Sequence, residues 1–226
     1  MTAVLIVDVL NAIGGGGIVD GWHVLSELDL RPFTVPTGVT WPATEGDAVS
    51  WIDEAAVSEA LGALWTLDAT RAVTLGILGR HAVIDAVQRL AQGRSLPIVA
   101  DWRVDDVWTD QEAFRERILP LLTLLVTSCR GATALTGLPI HDRVDQRRAA
   151  RTLSHLGATW VVLYDEERGH GDEGHLLWGP HYETWLTGAV DPGIGGRLSA
   201  ALSAAVARGD GLPDAMPAAW QRALRI

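Results

Sequence analysis

Apolar residues in this chain gather in short continuous runs, and between the runs the apolar positions fall at helical spacing. The runs are Val4 to Val9, Thr34 to Val39, Ala72 to Leu78, Pro97 to Asp101, Leu122 to Val126 and Trp160 to Tyr164. Continuous rather than alternating hydrophobicity predicts strands covered on both faces, as in a parallel sheet. Asp53 to Leu67 sets Ala56, Leu61, Leu64 and Trp65 near one side, and Ala82 to Leu90 places Val83, Val87 and Leu90 at helical spacing. Gln146 to Leu156 and the Ala-rich Gly195 to Arg208 predict two more helices, the second suited to close packing on a sheet. The alternation predicts an α/β layered domain with right-handed crossovers. HLLWGPHYETWL departs from it, since two β-rich runs flank Gly179 and Pro180 as in a hairpin at the edge of the sheet. No charge run or polar tract marks a linker, so residues 1–226 are read as one domain.

The formal charge is -10 and the pI about 5.0, which sets a field of the wrong sign over a phosphate backbone and argues against nucleic acid as a partner. All 18 basic residues are arginine, so no lysine can neutralise phosphate charge or form a Schiff base. Cys129 is the only cysteine, which excludes an intrachain disulfide or a cysteine-rich metal site and fits a reducing cytoplasm. No run approaches the roughly 18 apolar residues of a membrane span, and the N-terminal MTAVLIVDVL has no basic leader.

Two glycine segments carry the candidate chemistry. Gly14 to Gly17 follow the first apolar run and precede a helical stretch, so backbone N–H groups there can approach a ligand. The segment does not fit a dinucleotide fingerprint, because Thr34 to Val39 ends in Gly38 and Val39 rather than an acidic residue, and no G-K-[ST] exists for a P-loop. The second, Asp191-Pro192-Gly193-Ile194-Gly195-Gly196-Arg197-Leu198-Ser199, runs straight into the Ala-rich helix. Unpaired N–H groups at the positive end of a helix form an anion site, and a tight packing turn accounts for the same residues equally well.

The residues from Gly14 to Thr44, GGGGIVDGWHVLSELDLRPFTVPTGVTWPAT, resemble the N-terminal signature of hydroxymethylpyrimidine kinases: a glycine turn, Ala-Gly-Ile-Gln-Ala-Asp, a helix ending in Ser-Ala-Leu-Gly, a strand, then Thr-Ala-x-Asn-Thr. AVTLGILGR resembles that family's Val-Lys-Ile-Gly-Met-Leu-Gly phrase, PIVADWR its strand ending in Asp-Pro-Val, LPLLTLLVTSCRGATALTG the stretch before its Leu-Thr-Gly, and GIGGRLSAALSAAVARG its Gly-Thr-Gly-Cys helix start. The resemblance, to the hydroxymethylpyrimidine and pyridoxal kinase branch of the ribokinase-like superfamily, runs in order along nearly the whole chain. It implies a three-layer α/β/α sandwich with a mostly parallel central sheet and an edge hairpin, and transfer of the γ-phosphate of ATP, with Mg²⁺, to a hydroxymethyl group on a pyrimidine or pyridine ring. By the same resemblance, Gly193, Gly195 and Gly196 form the anion hole, and Asn11, Gly15, Gly17, Asp20 and Trp41 line the substrate. Asp101 and Ser128 would serve nucleotide or Mg²⁺, and a homodimer is expected.

The chain departs from the family where chemistry is expected. The proton-accepting Cys falls on Gly196, the Asn and Glu of the magnesium network on Ser128 and Gly131, the ring-recognising Gln on Pro42, the Asp of Gln-Ala-Asp on Gly21 beside Asp20, and the Lys on Thr74. Asp191 and Asp20 are the nearby carboxylates that could replace the base. Losing a general base removes a factor on the order of 10² to 10⁴ in rate while leaving binding partly intact. Two readings result, a kinase with a rearranged site and a ribokinase-fold protein that binds or regulates without transfer.

Other clusters read more plainly. His170, His175 and His181 with Asp172, Glu173 and Glu183 match no ligand spacing, and are read as a solvated loop beside a hairpin. Ten tryptophans are many for this length; Trp41, Trp51, Trp102 and Trp108 follow strand ends, where one or two could stack on a ring while the others pack in the core. Cys129 is read as a small buried residue.

Overall fold

A computed structural model describes residues 2–12, 16–43, 46–103, 109–165, 174–191 and 193–225. Along the chain run β1 (Ala3–Asn11), α1 (Gly17–Glu27), β2 (Arg31–Ala43), β3 (Gly46–Trp51), α2 (Glu54–Trp65), β4 (Thr70–Leu75), α3 (His81–Gly93) and β5 (Ile98–Trp102). A short α4 (Gln111–Ala113) continues through helical turns over Phe114–Ile118 and Leu119–Leu121. Then come β6 (Leu124–Ser128), α5 (Cys129–Thr136), α6 (Arg143–His155), β7 (Trp160–Tyr164), β8 (His175–Gly179), β9 (Tyr182–Leu186), α7 (Ile194–Arg208) and α8 (Leu212–Ala223).

The strands form one sheet in the order β3-β2-β1-β4-β5-β6-β7-β8-β9. β2, β1, β4, β5, β6 and β7 are parallel, β3 returns antiparallel along β2, and the β8–β9 hairpin closes the other edge. The apolar runs are continuous because both faces are covered. In β1, Leu5 and Val7 face a core shared with α2, α3, α5 and α6, while Val4 and Ile6 face a second core shared with α1, α7 and α8. Each such buried aliphatic side chain contributes about 1.5–3 kcal/mol relative to exposure. Small residues let α7 lie close: Ala200, Ala201 and Ala204 are buried beneath it, and Ser203 shares a 2.7 Å hydroxyl hydrogen bond with Thr74 of β4.

Several elements differ from the sequence expectation. β2 is longer than Thr34 to Val39, because β3 supplies a partner where β1 has ended: Asn11 pairs with Thr40, while Trp41 to Ala43 pair only with β3. The expected strand Ala72 to Leu78 stops at Leu75, and Gly76 begins a turn. α8 is a helix although it carries Pro213 and Pro217, the first at its start where the missing N–H is harmless. No helix among the described residues is long and apolar enough to cross a membrane.

Candidate active site at the C-terminal edge of the sheet

Strand order reverses at β1. From β1 the chain leaves onto the α1 face, and from the adjacent β4 it leaves onto the α3 face, so the two loops diverge and open a crevice beyond the strand ends. Such switch points are where open α/β sheets bind ligands. Val7 pairs with Leu75 and Leu75 with Ala100, so the next residues, Asp8, Gly76 and Asp101, form a row across three strands. Asp8 and Asp101 lie roughly 10 Å apart, two inter-strand spacings, and Gly76 between them has no side chain. It cannot have one: a Cβ there would sit 2.1 Å from Asp8 Oδ2.

Both helices that begin on this face start on uncapped glycines. Gly16 precedes α1 with φ 71° and Gly193 precedes α7, and neither helix has a side-chain cap hydrogen bond. Gly17, at φ 54°, could not carry a Cβ, which would lie 2.5 Å from Val9 O and 3.5 Å from Asp8 Oδ2. At α7 a Cβ on Gly195 would lie 2.3 Å from Asp101 Oδ1 and 2.7 Å from Tyr164 Oη, so the first turn of the helix rests directly on the end of β5. The Gly195 amide finds no acceptor among the described residues, which leaves the positive end of the α7 dipole available to an anion.

Two carboxylates here have distinct environments. Asp8 Oδ1 accepts from Val9 N at 2.7 Å and Ile77 N at 2.8 Å. Burial pushes the Asp8 carboxyl up; the Arg103 charge and those two amides pull it back in part, and Asp20 adds to the rise. For Asp191, burial also raises the carboxyl, but the Arg197 hydrogen bond and the Gly193 amide outweigh it and leave the group below its ordinary range.

The phosphomethylpyrimidine kinase family profile matches residues 12–223. The chain belongs to this family. A hydroxymethylpyrimidine/phosphomethylpyrimidine kinase of Streptomyces coelicolor is 28% identical over 225 residues, covering 91% of this chain and 81% of the relative. The phosphomethylpyrimidine kinase of Clostridium difficile has the same fold, with a TM-score of 0.85 at 19% identity over 98% of this chain and 97% of that one. So does an ADP complex of Bacillus subtilis pyridoxal kinase, with a TM-score of 0.87 at 22% identity over 98% and 90%.

Within this phosphomethylpyrimidine kinase fold, the residues expected from sequence divide. Gly17, Asp20 in the first turn of α1, Asn11 at the end of β1, Asp101, Gly193, Gly195 and Gly196 all lie along the same edge. Gly15 and Trp108 fall outside the described residues, as do His170, Asp172 and Glu173. Trp41 is 40% exposed on the β2–β3 arm. Trp51 instead fills the space over Gly79, where a Cβ would lie 2.2 Å from its ring, and Trp102 is buried against Phe114 at 4.3 Å. Asp191 Oδ2 meets Arg197 Nη2 at 2.6 Å and its Oδ1 accepts from Gly193 N at 2.7 Å, commitments that make it a poor proton acceptor. Ser128 Oγ accepts from Gly131 N at 3.0 Å as the N-cap of α5. Of the expected polar loop, His175 is buried with its ring between Asp165 N and Gly188 O, and Glu183 pairs with Arg147.

Asp8, Arg103 and Arg197 were not singled out from sequence. Asp8 is the one charged residue inside the apolar run VLIVDVL, and an ionisable group in a doubly covered strand is the signal that could have found it. Arg103 Nε stands 3.6 Å from Asp101 Oδ2. Arg197 is buried in the first turn of α7 and donates from Nε to Ala223 O at 2.9 Å.

The described residues form no all-protein cage for a magnesium ion. No group of three His, Cys, Asp or Glu side chains among them could hold a metal. The family's Glu position, Gly131, is closed, since a Cβ there would lie 2.2 Å from Thr127 Oγ1.

Proposed function

We propose that this chain transfers the γ-phosphate of ATP to a hydroxymethyl group on a pyrimidine or pyridine ring, in thiamine or vitamin B6 metabolism. One observation carries the reading: an uncapped glycine start of α7 rests over the buried Asp101, on the same face and edge as the glycine start of α1. Phosphoryl transfer rests mainly on positioning and on stabilising charge that develops on the transferred group. The Gly195 amide and the α7 dipole supply a fixed donor and a positive field for that charge. With no lysine in the chain, the backbone bears much of this task, joined by Arg103 at the end of β5. Mg²⁺ enters with ATP, as part of the substrate, which suits an ion that takes few protein ligands and keeps phosphate oxygens.

A second reading, a ribokinase-fold protein that binds a ring alcohol or an anion without transfer, is favoured by the β6–α5 corner, where Ser128 is spent on a helix cap and Gly131 admits no side chain. Incubating the protein with Mg-ATP and either hydroxymethylpyrimidine or pyridoxal, with product detected by mass and calorimetry run in parallel, separates the two. The kinase reading expects ADP and a phosphorylated ring in equal amounts. Ring binding without nucleotide binding or turnover would replace it with the second.

A further inference from the structure

We propose that Asp8 is the proton acceptor of this enzyme, doing from β1 what the family's cysteine does from the position now occupied by Gly196. The inference rests on the kinase reading above. Asp8 lies in the crevice at the β1/β4 switch point, on the face of the sheet that carries both glycine helix starts. Its row partner Asp101 touches the start of α7, and its own carboxylate approaches the start of α1, so it stands between the two glycine turns. Its Oδ1 is fixed by the amides of Val9 and Ile77, and no described group donates to Oδ2. The arrangement is that of a positioned base, one oxygen clamped and the other without a described donor, lying over Gly76, which has no side chain to cover it.

The fold also makes room for Asp8. A Cβ at position 76 would collide with its carboxylate and one at position 17 with Val9 O of its strand, and both positions are glycine. Asp8 is 7% exposed, and its charged neighbours are Arg103 from the end of β5 and Asp20 from α1. Burial raises the Asp8 carboxyl and so makes it a better proton acceptor than a surface aspartate, while the Arg103 charge opposes that rise in part. In the transfer step the hydroxymethyl oxygen forms a bond to the γ-phosphorus as the bond from that phosphorus to the β,γ-bridging oxygen breaks. The electron pair leaves with ADP, and the hydroxyl proton passes to Asp8 Oδ2.

The test is Asp8→Asn, in which Oδ1 can still accept from Val9 and Ile77, assayed beside the wild type with Mg-ATP and each ring alcohol. The expected result is a kcat lower by about 10² to 10⁴, with KM held, the melting temperature not lowered and the acid limb of the pH profile lost. Adding Gly196→Cys should then restore part of kcat, because a Cβ at Gly196 meets only Asp101 Oδ2 at 3.8 Å. Asp8→Asn with wild-type kcat overturns the proposal, as does a loss that appears equally in ligand binding. Gly196→Cys alone decides the matter even if Asp8→Asn misfolds. Little gain is expected where Asp8 already accepts the proton, whereas a gain on the order of 10² or more means that the wild type had no base. A wild type that phosphorylates neither alcohol removes the kinase reading itself, and this proposal with it.

Discussion

β6 and β1 end at the same edge of the sheet but put a polar side chain near that end to opposite uses. β6 delivers Ser128 into the first turn of α5, where its hydroxyl caps the helix, and Gly131 behind it is pressed against Thr127 Oγ1, itself donating to Trp102 O at 2.7 Å. β1 delivers Asp8 over Gly76, with one carboxylate oxygen fixed by two amides and no described donor on the other. The corner onto which the resemblance maps a magnesium network is packing. The half beneath the two glycine helix starts keeps uncapped helix N-termini and a buried carboxylate. A phosphotransferase can tolerate that asymmetry, since ATP brings its own metal while a ring alcohol brings no base.

Gly195→Ala attacks the open half most directly. Its Cβ would fall 2.3 Å from Asp101 Oδ1, forcing the first turn of α7 off the end of β5 and moving the anion donors. A kcat lower by about 10² to 10³ is expected, as for loss of one oxyanion donor, with stability reduced by about 1–3 kcal/mol from overpacking; steady-state kinetics and urea melts read the two effects separately. An Ala variant with unchanged kcat would mean that the α7 turn does not hold the transferred phosphate.

Asp191→Asn should separate structure from chemistry. The Arg197 side chain is 7% exposed and Asp191 is 54% exposed, so removing the carboxylate strands a buried cation whose one other hydrogen-bond partner among the described residues is Ala223 O. A loss of about 1–3 kcal/mol is expected, tempered by the exposure of Asp191, with the pH dependence of kcat unchanged. A shifted acid limb in this variant would move the base from Asp8 to Asp191.

Much of this architecture was legible because doubly covered strands leave so little choice of residue. The β7 run Trp160 to Tyr164 matched its strand, the start and end of α7 were found to within a residue, and the hairpin around Gly179 and Pro180 took its expected place. α8 escaped notice because Pro213 and Pro217 suppress a helical pattern that packing on α7 and β9 restores. β3 escaped because its only partner is β2, so no buried run marks it. The glycine turns were readable by resemblance, but Asp8 was hidden inside its own strand. Its significance comes from register, which sets it level with Gly76 and Asp101, and register is a long-range property that one strand's residues do not encode.

Gly131→Ala and Gly196→Ala form a matched pair across the two halves. At Gly131 the new Cβ would meet Thr127 Oγ1 at 2.2 Å, and about 1–3 kcal/mol should be lost. At Gly196 the nearest atom is Asp101 Oδ2 at 3.8 Å, so the helix should gain about 0.5–1 kcal/mol from the replaced glycine. Equal effects in chemical denaturation would mean that the two halves are not differently packed.

The smallest effect belongs to His175, far from the crevice on the β8–β9 hairpin. Burial holds its imidazole below the ordinary value of 6.5, partly offset by Gly188 O and Asp165. Nδ1 accepts from Asp165 N at 3.1 Å, so Nε2 carries the proton toward Gly188 O at 2.9 Å, and the ring lies 4.7 Å from Trp220. A second proton would break the Asp165 bond. Below pH 6.5 the unfolded chain takes up a proton at this residue that the folded chain resists, so stability is present above that value and is lost as pH falls toward the depressed folded value. Melting temperature should therefore decline on acidification from neutrality, and His175→Gln should flatten that decline. An unchanged slope would place the acid sensitivity elsewhere. The remaining candidates would then be the carboxylates held below their ordinary range, Asp191 beside Arg197 and Glu183 beside Arg147, since the raised carboxyl of Asp8 has the opposite sign and makes the fold relatively more stable as it protonates.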